Sequence, residues 1–401
     1  MGVPCVAFFT DSFHETNGVA LTSRQFAAFA KSHYYPFFSV HAGPQTAHWK
    51  RCCFETYELA NSRFLLKLEH DLAFDLGFRR HYSTLRKALS LFQPDLVHVT
   101  GPGHIGMLGA LLAHDLKVPL AASWHTNIHE FGARRLAKVA PWLGSKIVRR
   151  TEDASLDLAM RFYALGKLLF APNAELLSEL EQRTKKPVRM MQRGVDSELF
   201  SPDRRERGPR PFTIGYAGRL SAEKNVRFFA ALDQALRRAG ATNYEFLIVG
   251  EGSERAWLQE NLPGAKLPGL LHGEELAGAY ANMDVFAFPS ETDTFGNVIL
   301  EAAASGVPSI VSPRGGPKFL IEPGESGFIA ANVEQWSSAV IRLLQNSNLA
   351  ETMGTKAREI ALQRSWTNVF EGVYNDYGEI FPFGVPYRPT LPKTLRTIPV
   401  S

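Results

Sequence analysis

Short apolar runs alternate with polar loops and helix-period stretches along most of the chain, the alternation of a parallel α/β protein. Val3 to Phe9 reads as a first strand, followed by a polar loop, Asp11 to Ala20, and a helical stretch through Ala30. Pro94 to Thr100 has the composition of a buried parallel strand and runs into Gly101-Pro-Gly103-His-Ile-Gly106 and a helix through His114. Val118 to Ser123 is the next strand, ending in Trp124-His125-Thr126. The alternation restarts at Phe212 to Ala217 and continues through Phe246 to Val249 and Val285 to Phe288. After that last strand come a polar loop holding Asp293 and a helix from about Asn297 to Ala304, stopped by Ser305-Gly306 and barred from continuing by Pro308. A final helix opens at Ser365-Trp366 and runs to about Ile380. From Phe381 the prolines at 382, 386, 389, 392 and 399 predict an extended tail.

The restart falls just after Asp203-Arg-Arg-Glu-Arg-Gly-Pro-Arg-Pro211, a charged, proline-punctuated segment that is the best linker candidate. This gives a first domain over 1–203, completed by the helix 365–380, a second over 204–364, and the tail 381–401. A length of 401 residues is consistent with two domains. A net charge of +4 gives no argument for nucleic acid. Three cysteines, two of them the adjacent Cys52 and Cys53, make neither a disulfide framework nor a metal-ligand spacing, so a reducing cytoplasm is the expected compartment. No signal peptide or transmembrane run is expected, and Val6 stands where an N-terminal myristoylation motif needs Ser or Thr.

The strand, turn and helix around Asp293 make an anion site, because first-turn amides and the helix dipole face the same space. Asp293 and Glu301 would repel a phosphate, so they are read as acceptors for hydroxyls. A ligand with both phosphates and many hydroxyls is a nucleotide sugar. On this stretch alone, a solvated loop acid and an ordinary helix glutamate stay open. Gly218-Arg219-Leu-Ser-Ala-Glu-Lys224-Asn225 places two cations in a strand-to-helix turn, as a diphosphate requires, although a plain surface turn has the same composition. Asn17-Gly18 marks a place of backbone freedom or close approach.

The G-x-G-x-x-G at 101–106 invites a dinucleotide reading. That reading needs an acid at the end of the next strand, where Trp124-His125-Thr126 stands instead, so close helix–strand packing explains the glycines. His125 lies where open α/β sheets place ligands. His129, four residues on, lacks the glutamate of a zinc helix, and no metal site is expected. Between Phe131 and Arg150 the cations Arg134, Arg135, Lys138, Lys146, Arg149 and Arg150 alternate with apolar residues that include Trp142, and no acid intervenes. Such a stretch suits an anionic membrane surface, at about 1 kcal/mol per nearby cation. A solvated helix with a core-facing side is the other reading.

Asp293-Thr-Phe-Gly-Asn-Val-Ile-Leu-Glu301 together with Gly218 to Asn225 resembles family 4 of the retaining, nucleotide-sugar-dependent glycosyltransferases. Asn17-Gly18-Val19, Trp124-His125-Thr126, Gly194-Val195-Asp196 and Ser365-Trp366 fit the same pattern in order. The wording is most similar to the branch holding sulfolipid synthases and GDP-mannose-dependent α-mannosyltransferases. The resemblance implies the GT-B fold, two facing Rossmann-like domains with the active site in the interdomain cleft, the first binding acceptor and the second the nucleotide sugar. Arg219 and Lys224 would hold the diphosphate and Glu301 the ribose. Asp293, one methylene shorter than the family's usual Glu, would hold sugar hydroxyls. Phe295, Gly296, Asn297 and Val298 would line the sugar and phosphate, Asn17 and Gly18 would let the first loop approach, and His125 would contact the sugar near the reacting carbon.

The activity so implied is transfer of a hexosyl group, mannose from GDP-mannose favoured, to a hydroxyl of a lipid or lipid-linked acceptor. The donor is a co-substrate, and no cofactor is expected. D-x-D is absent from the sequence, which fits metal-independent catalysis in this fold. A UDP-sugar-dependent glycolipid synthase, a nucleotide-sugar epimerase and a non-catalytic module are the alternatives. The expected location is the cytoplasm or the inner face of the membrane, with peripheral docking through Arg134, Arg135, Lys138, Trp142 and Lys146.

Overall fold

The computed structural model describes residues 3–15, 17–69, 72–125, 145–206 and 208–380. Its described chain divides into two compact units, one comprising the residues up to Met191 and those from Phe370 onward, the other Gln192–Val369.

In the first unit the strands are β1 (Val6–Thr10), β2 (Phe37–Gly43), β3 (Ala47–Arg51), β4 (Phe54–Ala60), β5 (Leu65–Glu69), β6 (Leu72–Asp75), β7 (Leu96–Val99), β8 (Leu120–Ser123), β9 (Leu168–Ala171) and β10 (Val188–Met190). Eight of them form one sheet in the order β10-β9-β8-β7-β1-β2-β4-β3, while β5 and β6 make a separate hairpin. Every pairing in the large sheet is parallel except β3 with β4. Strands covered on both faces must be apolar throughout, and β1, β7, β8 and β9 are buried at every position. The two hairpins, β3–β4 and β5–β6, were outside the alternation expected from sequence. The C-terminal helix Trp366–Tyr377 packs Phe370 flat against Phe26, rings 4.6 Å apart.

The second unit holds β11 (Phe212–Ala217), β12 (Tyr244–Val249), β13 (Lys266–Gly269), β14 (Val285–Phe288), β15 (Ser309–Val311) and β16 (Gly327–Ile329). They form an all-parallel sheet ordered β13-β12-β11-β14-β15-β16. Successive strands move outward on one side of β11 and then restart on the other, so the order reverses between β11 and β14. Open α/β sheets bind ligands beyond the carboxyl ends of the strands at such a reversal.

The division at Met191/Gln192 falls earlier than the boundary expected at 203/204. Residues after 191 are held by the second unit: Val195 N–H donates to the Arg364 carbonyl at 3.0 Å, and Arg358 donates to the carbonyls of Ser197 (3.0 Å), Phe200 (2.6 Å) and Ala304. The segment 203–211 is correspondingly no free linker. Arg205 and Arg210 both donate to the Asp284 carboxylate, and Arg210 also reaches the Asn282 carbonyl at 2.6 Å. Two of its cations are thus paired to the neighbouring loop. The expected tail 381–401 lies outside the described residues.

Candidate active site

The loops after β11 and β14 carry Arg219, Lys224 and Asp293, and the structure brings these loops together. Lys224 Nζ donates to Asp293 Oδ1 at 2.6 Å, each side chain about four-fifths shielded from solvent. Burial pushes the Asp293 carboxyl up, but the Lys224 charge and hydrogen bond outweigh it and the net shift is downward. Arg219 is more exposed and stands 3.7 Å from Glu223. Both cations sit in a turn closed by Asn225 in the left-handed conformation, with φ of 54°.

Backbone contacts that tolerate no side chain place these loops. Gly250, with φ of 140°, lies so near the turn after β11 that a Cβ would stand 1.9 Å from the Gly218 carbonyl. Likewise a Cβ on Gly316 would lie 2.0 Å from the Thr294 carbonyl, and Gly316 N–H donates to the Asp293 carbonyl at 2.6 Å. The geometry of Asp293 is thus set from behind by the loop after β15.

Helix Asn297–Ala304 begins one residue after Gly296, whose φ of 102° turns the chain into it, and among the described residues no side chain caps its amides. Asn297 accepts from Arg193 at 3.2 Å, while its Nδ2 is buried with no hydrogen-bond partner. Val298 follows at the same helix start, and Phe295 is buried with the Arg193 guanidinium over its ring at 5.8 Å. One turn deeper, Glu301 accepts from the Tyr280 hydroxyl at 2.7 Å. Burial raises the Glu301 carboxyl above its ordinary range, with the Tyr280 bond pulling the other way. Arg219, Lys224, Asp293, Phe295, Gly296, Asn297, Val298 and Glu301 therefore belong to one unit, on elements around one sheet reversal.

Arg193 was missed in the sequence reading. It is 6% exposed, and burial lowers its guanidinium to about 10, opposed by the Asp293 charge. The signal was there in Arg193-Gly-Val-Asp196: a cation before a tight turn at the end of a domain. Its burial depends on packing that the sequence does not display.

In the first unit, the carboxylate of Asp11 occupies the start of helix His104–Leu116, accepting from Ile105 N at 2.8 Å and Gly106 N at 3.2 Å. A Cβ on Gly103 would lie 2.3 Å from that carboxyl carbon, and one on Gly106 would lie 1.9 Å from the Gly101 carbonyl. The G-x-G-x-x-G glycines make room for Asp11 and for close backbone approach. Asn17 caps the helix Gly18–Ser32, its Oδ1 accepting from Val19 N (3.0 Å) and Ala20 N (2.9 Å), and Gly18 is that helix's first residue.

His125, 5% exposed at the end of β8, has Nε2 2.7 Å from Ser123 Oγ. Ser123 Oγ is 2.9 Å from His98 Nε2, and His98 Nδ1 is 2.5 Å from the Tyr377 hydroxyl. Burial lowers His98 to about 3, so its ring is neutral, with one donor and one acceptor nitrogen. The direction that uses every donor runs from Tyr377 O–H to His98 Nδ1, from His98 Nε2–H to Ser123, and from Ser123 O–H to His125 Nε2. His125 then carries its own proton on Nδ1.

Arg134, Arg135, Lys138 and Trp142 lie outside the described residues. Lys146 falls within helix Ser145–Tyr163. No described helix is long and apolar enough to cross a membrane.

A family model described as "Glycosyl transferases group 1" matches residues 211–346, and one described as "Glycosyltransferase Family 4" matches residues 57–199. A Corynebacterium glutamicum protein named GDP-mannose-dependent alpha-mannosyltransferase is 30% identical over 309 residues, covering 74% of this chain and 70% of the relative. The sulfoquinovosyl transferase SQD2 of Arabidopsis thaliana is also 30% identical over 309 residues, covering 72% of this chain and 57% of the relative. Among solved structures, Anabaena HepE in complex with UDP and glucose superposes with a TM-score of 0.65 at 17% identity, covering 94% of this chain and 99% of its own.

Proposed function

This chain belongs to glycosyltransferase family 4 and has the GT-B fold, and from that premise we propose that it transfers mannose from GDP-mannose, with retention, to a hydroxyl of a lipid or lipid-linked acceptor. The observation that carries the donor chemistry is the Lys224–Asp293 pair at 2.6 Å, set beside Arg219 at the reversal between β11 and β14. Cation and carboxylate at one sheet reversal suit a ligand that carries phosphate and hydroxyls together.

In this reading Arg219, Lys224 and the uncapped amides of helix Asn297–Ala304 receive the diphosphate. Charge develops on the leaving β-phosphate, and these donors stand ready to meet it without reorganisation. Transfer then needs no resident cofactor or metal. Asp293, held ionised, accepts from sugar hydroxyls, and Glu301 accepts from the ribose. His125, presented with its proton on Nδ1, contacts the transferred sugar near the reacting carbon. Retention follows if the acceptor attacks from the leaving-group face and its proton passes to the leaving phosphate. Mannose is favoured over other hexoses by the likeness to the C. glutamicum protein.

A UDP-sugar donor is the second reading, suggested by the Anabaena HepE structure of like fold, which holds UDP and glucose. Association with the inner face of an anionic membrane through residues 131–150 belongs to the same proposal and rests on the composition of that stretch.

The test is nucleotide release by the purified protein with GDP-mannose and with several UDP-sugars, each with and without membrane lipid extract. Lipid-stimulated release of GDP is expected. Release from a UDP-sugar instead would replace the donor, and no release from any donor would overturn the reading.

A further inference from the structure

The first unit contains a cluster of three side chains that the reaction above does not use. His14 lies in the loop after β1, His41 near the end of β2, and Glu58 on β4. His41 and Glu58 are register partners across the parallel β2–β4 pair, so they project from the same face of adjacent strands. His14 follows four residues after Thr10, which is itself the register partner of His41 on the other side. One ligand atom from each of the three lies within 4.8 Å of the others. We infer that His14, His41 and Glu58 bind one divalent transition-metal cation, with zinc the best match to two imidazoles and a carboxylate.

Each ligand is prepared in a different way. His41 is 1% exposed and stacks on Phe13 with ring centres 4.0 Å apart and planes 4° from parallel, which fixes the orientation of its ring. Its Nδ1 faces the Ala42 carbonyl at 3.3 Å, while its Nε2 is buried and has no hydrogen-bond partner. That is the arrangement of a metal-binding histidine: one nitrogen is tied to a backbone carbonyl, which sets the tautomer and leaves the other nitrogen's lone pair available.

Glu58 is 5% exposed, and its carboxyl fills the space over Gly43, where a Cβ would come within 2.4 Å of it. Its Oε2 already meets His14 Nε2 at 3.0 Å. Ligand atoms around a tetrahedral zinc stand about 3.4 Å apart, from bonds of about 2.0–2.1 Å. The three ligand atoms, within 4.8 Å of one another, would draw in toward that spacing around a bound ion. Magnesium and calcium prefer all-oxygen sites and do not match two imidazoles. Because His14 is the exposed member, solvent supplies the fourth ligand. The bound ion would pin the start of the loop after β1 to β2 and β4. No metal spacing is visible in sequence because the three residues come from positions 14, 41 and 58, brought together only by the sheet order.

The test uses the full chain, free of affinity tag and treated with chelator. Calorimetric titration with Zn²⁺ is expected to show one equivalent bound with micromolar or tighter affinity, no comparable binding of Mg²⁺, and a rise in the unfolding temperature. His14→Ala changes an exposed side chain and should keep the circular dichroism of the parent. Both it and Glu58→Gln should weaken Zn²⁺ binding at least a hundredfold and abolish the thermal shift. Zn²⁺ binding of equal strength in parent and His14→Ala, or no stoichiometric binding by the folded parent, overturns the assignment. Both outcomes are independent of transferase activity.

Discussion

The Lys224 ammonium and the Asp293 carboxylate, 69 positions apart in sequence, meet at 2.6 Å across the ends of two neighbouring parallel strands. Each is the other's counter-ion, and in the proposed reaction each also contacts the donor. Lys224→Met and Asp293→Asn should both lower kcat/KM by about 10²–10³, the scale for removing one preorganised charge or donor at a reacting centre. Because each variant leaves the other charge partly shielded and unpaired, each should also destabilise the fold by about 1–3 kcal/mol. Steady-state kinetics and denaturant unfolding read the two effects separately. Full activity in Asp293→Asn would remove this residue from the sugar site.

The same pair predicts a pH dependence. A carboxyl whose folded-state pKa is lowered contributes stability that is fully present above its ordinary value of 3.8 and is lost as pH falls through the lower folded value. The difference in unfolding free energy between parent and Asp293→Asn should therefore be equal at about pH 7 and about pH 5, and shrink only in stronger acid. A difference that has already collapsed at about pH 5 would contradict the ion pair.

Arg193 reaches Asn297 at 3.2 Å, at the start of the helix assigned to the diphosphate. Arg193→Met should weaken binding of the free nucleoside diphosphate about tenfold, equivalent to about 1.4 kcal/mol. Calorimetry on the variant measures this directly. Unchanged affinity would reduce Arg193 to a packing element.

Ser123 links two histidine rings, and its removal should disorder the second. Ser123→Ala is expected to lower kcat about tenfold, the worth of one hydrogen bond of about 1 kcal/mol or slightly more. Tyr377→Phe, two links away, should act in the same direction but more weakly. Because His98 titrates only near 3, the acid limb of the parent's pH–rate profile should not arise from this ring. Disappearance of an acid limb between about pH 5 and 7 in His98→Gln would show otherwise.

Much of the second unit was legible in sequence, and the reason is local. The strand Val285–Phe288, the loop with Asp293 and the helix Asn297–Ala304 follow one another without interruption, so apolar run, glycine and helix stop mark them directly. The partnership of Lys224 with Asp293 was not legible, since only the order β12-β11-β14 makes their loops neighbours. Nor was the use made of Asp11. Its loop read as polar and open, whereas its carboxylate is consumed by the amides of Ile105 and Gly106, 94 and 95 residues away. The charged run 203–211 misled for a related reason. The run reads as a linker in sequence, and only the fold supplies Asp284 as the common partner of Arg205 and Arg210.

The helices that follow β7 and β14 differ in how their first amides are met. Helix His104–Leu116 is supplied from its own chain by Asp11, while helix Asn297–Ala304 has no side-chain cap of its own. The first of these helix starts is thus satisfied from within the chain, and the second has amides left for a ligand. In hydrogen-exchange terms, the proposed nucleotide would act as that helix's cap. Its arrival should slow exchange at Asn297 and Val298 far more than anywhere along 104–116, so the protein would report substrate by stiffening one half of itself.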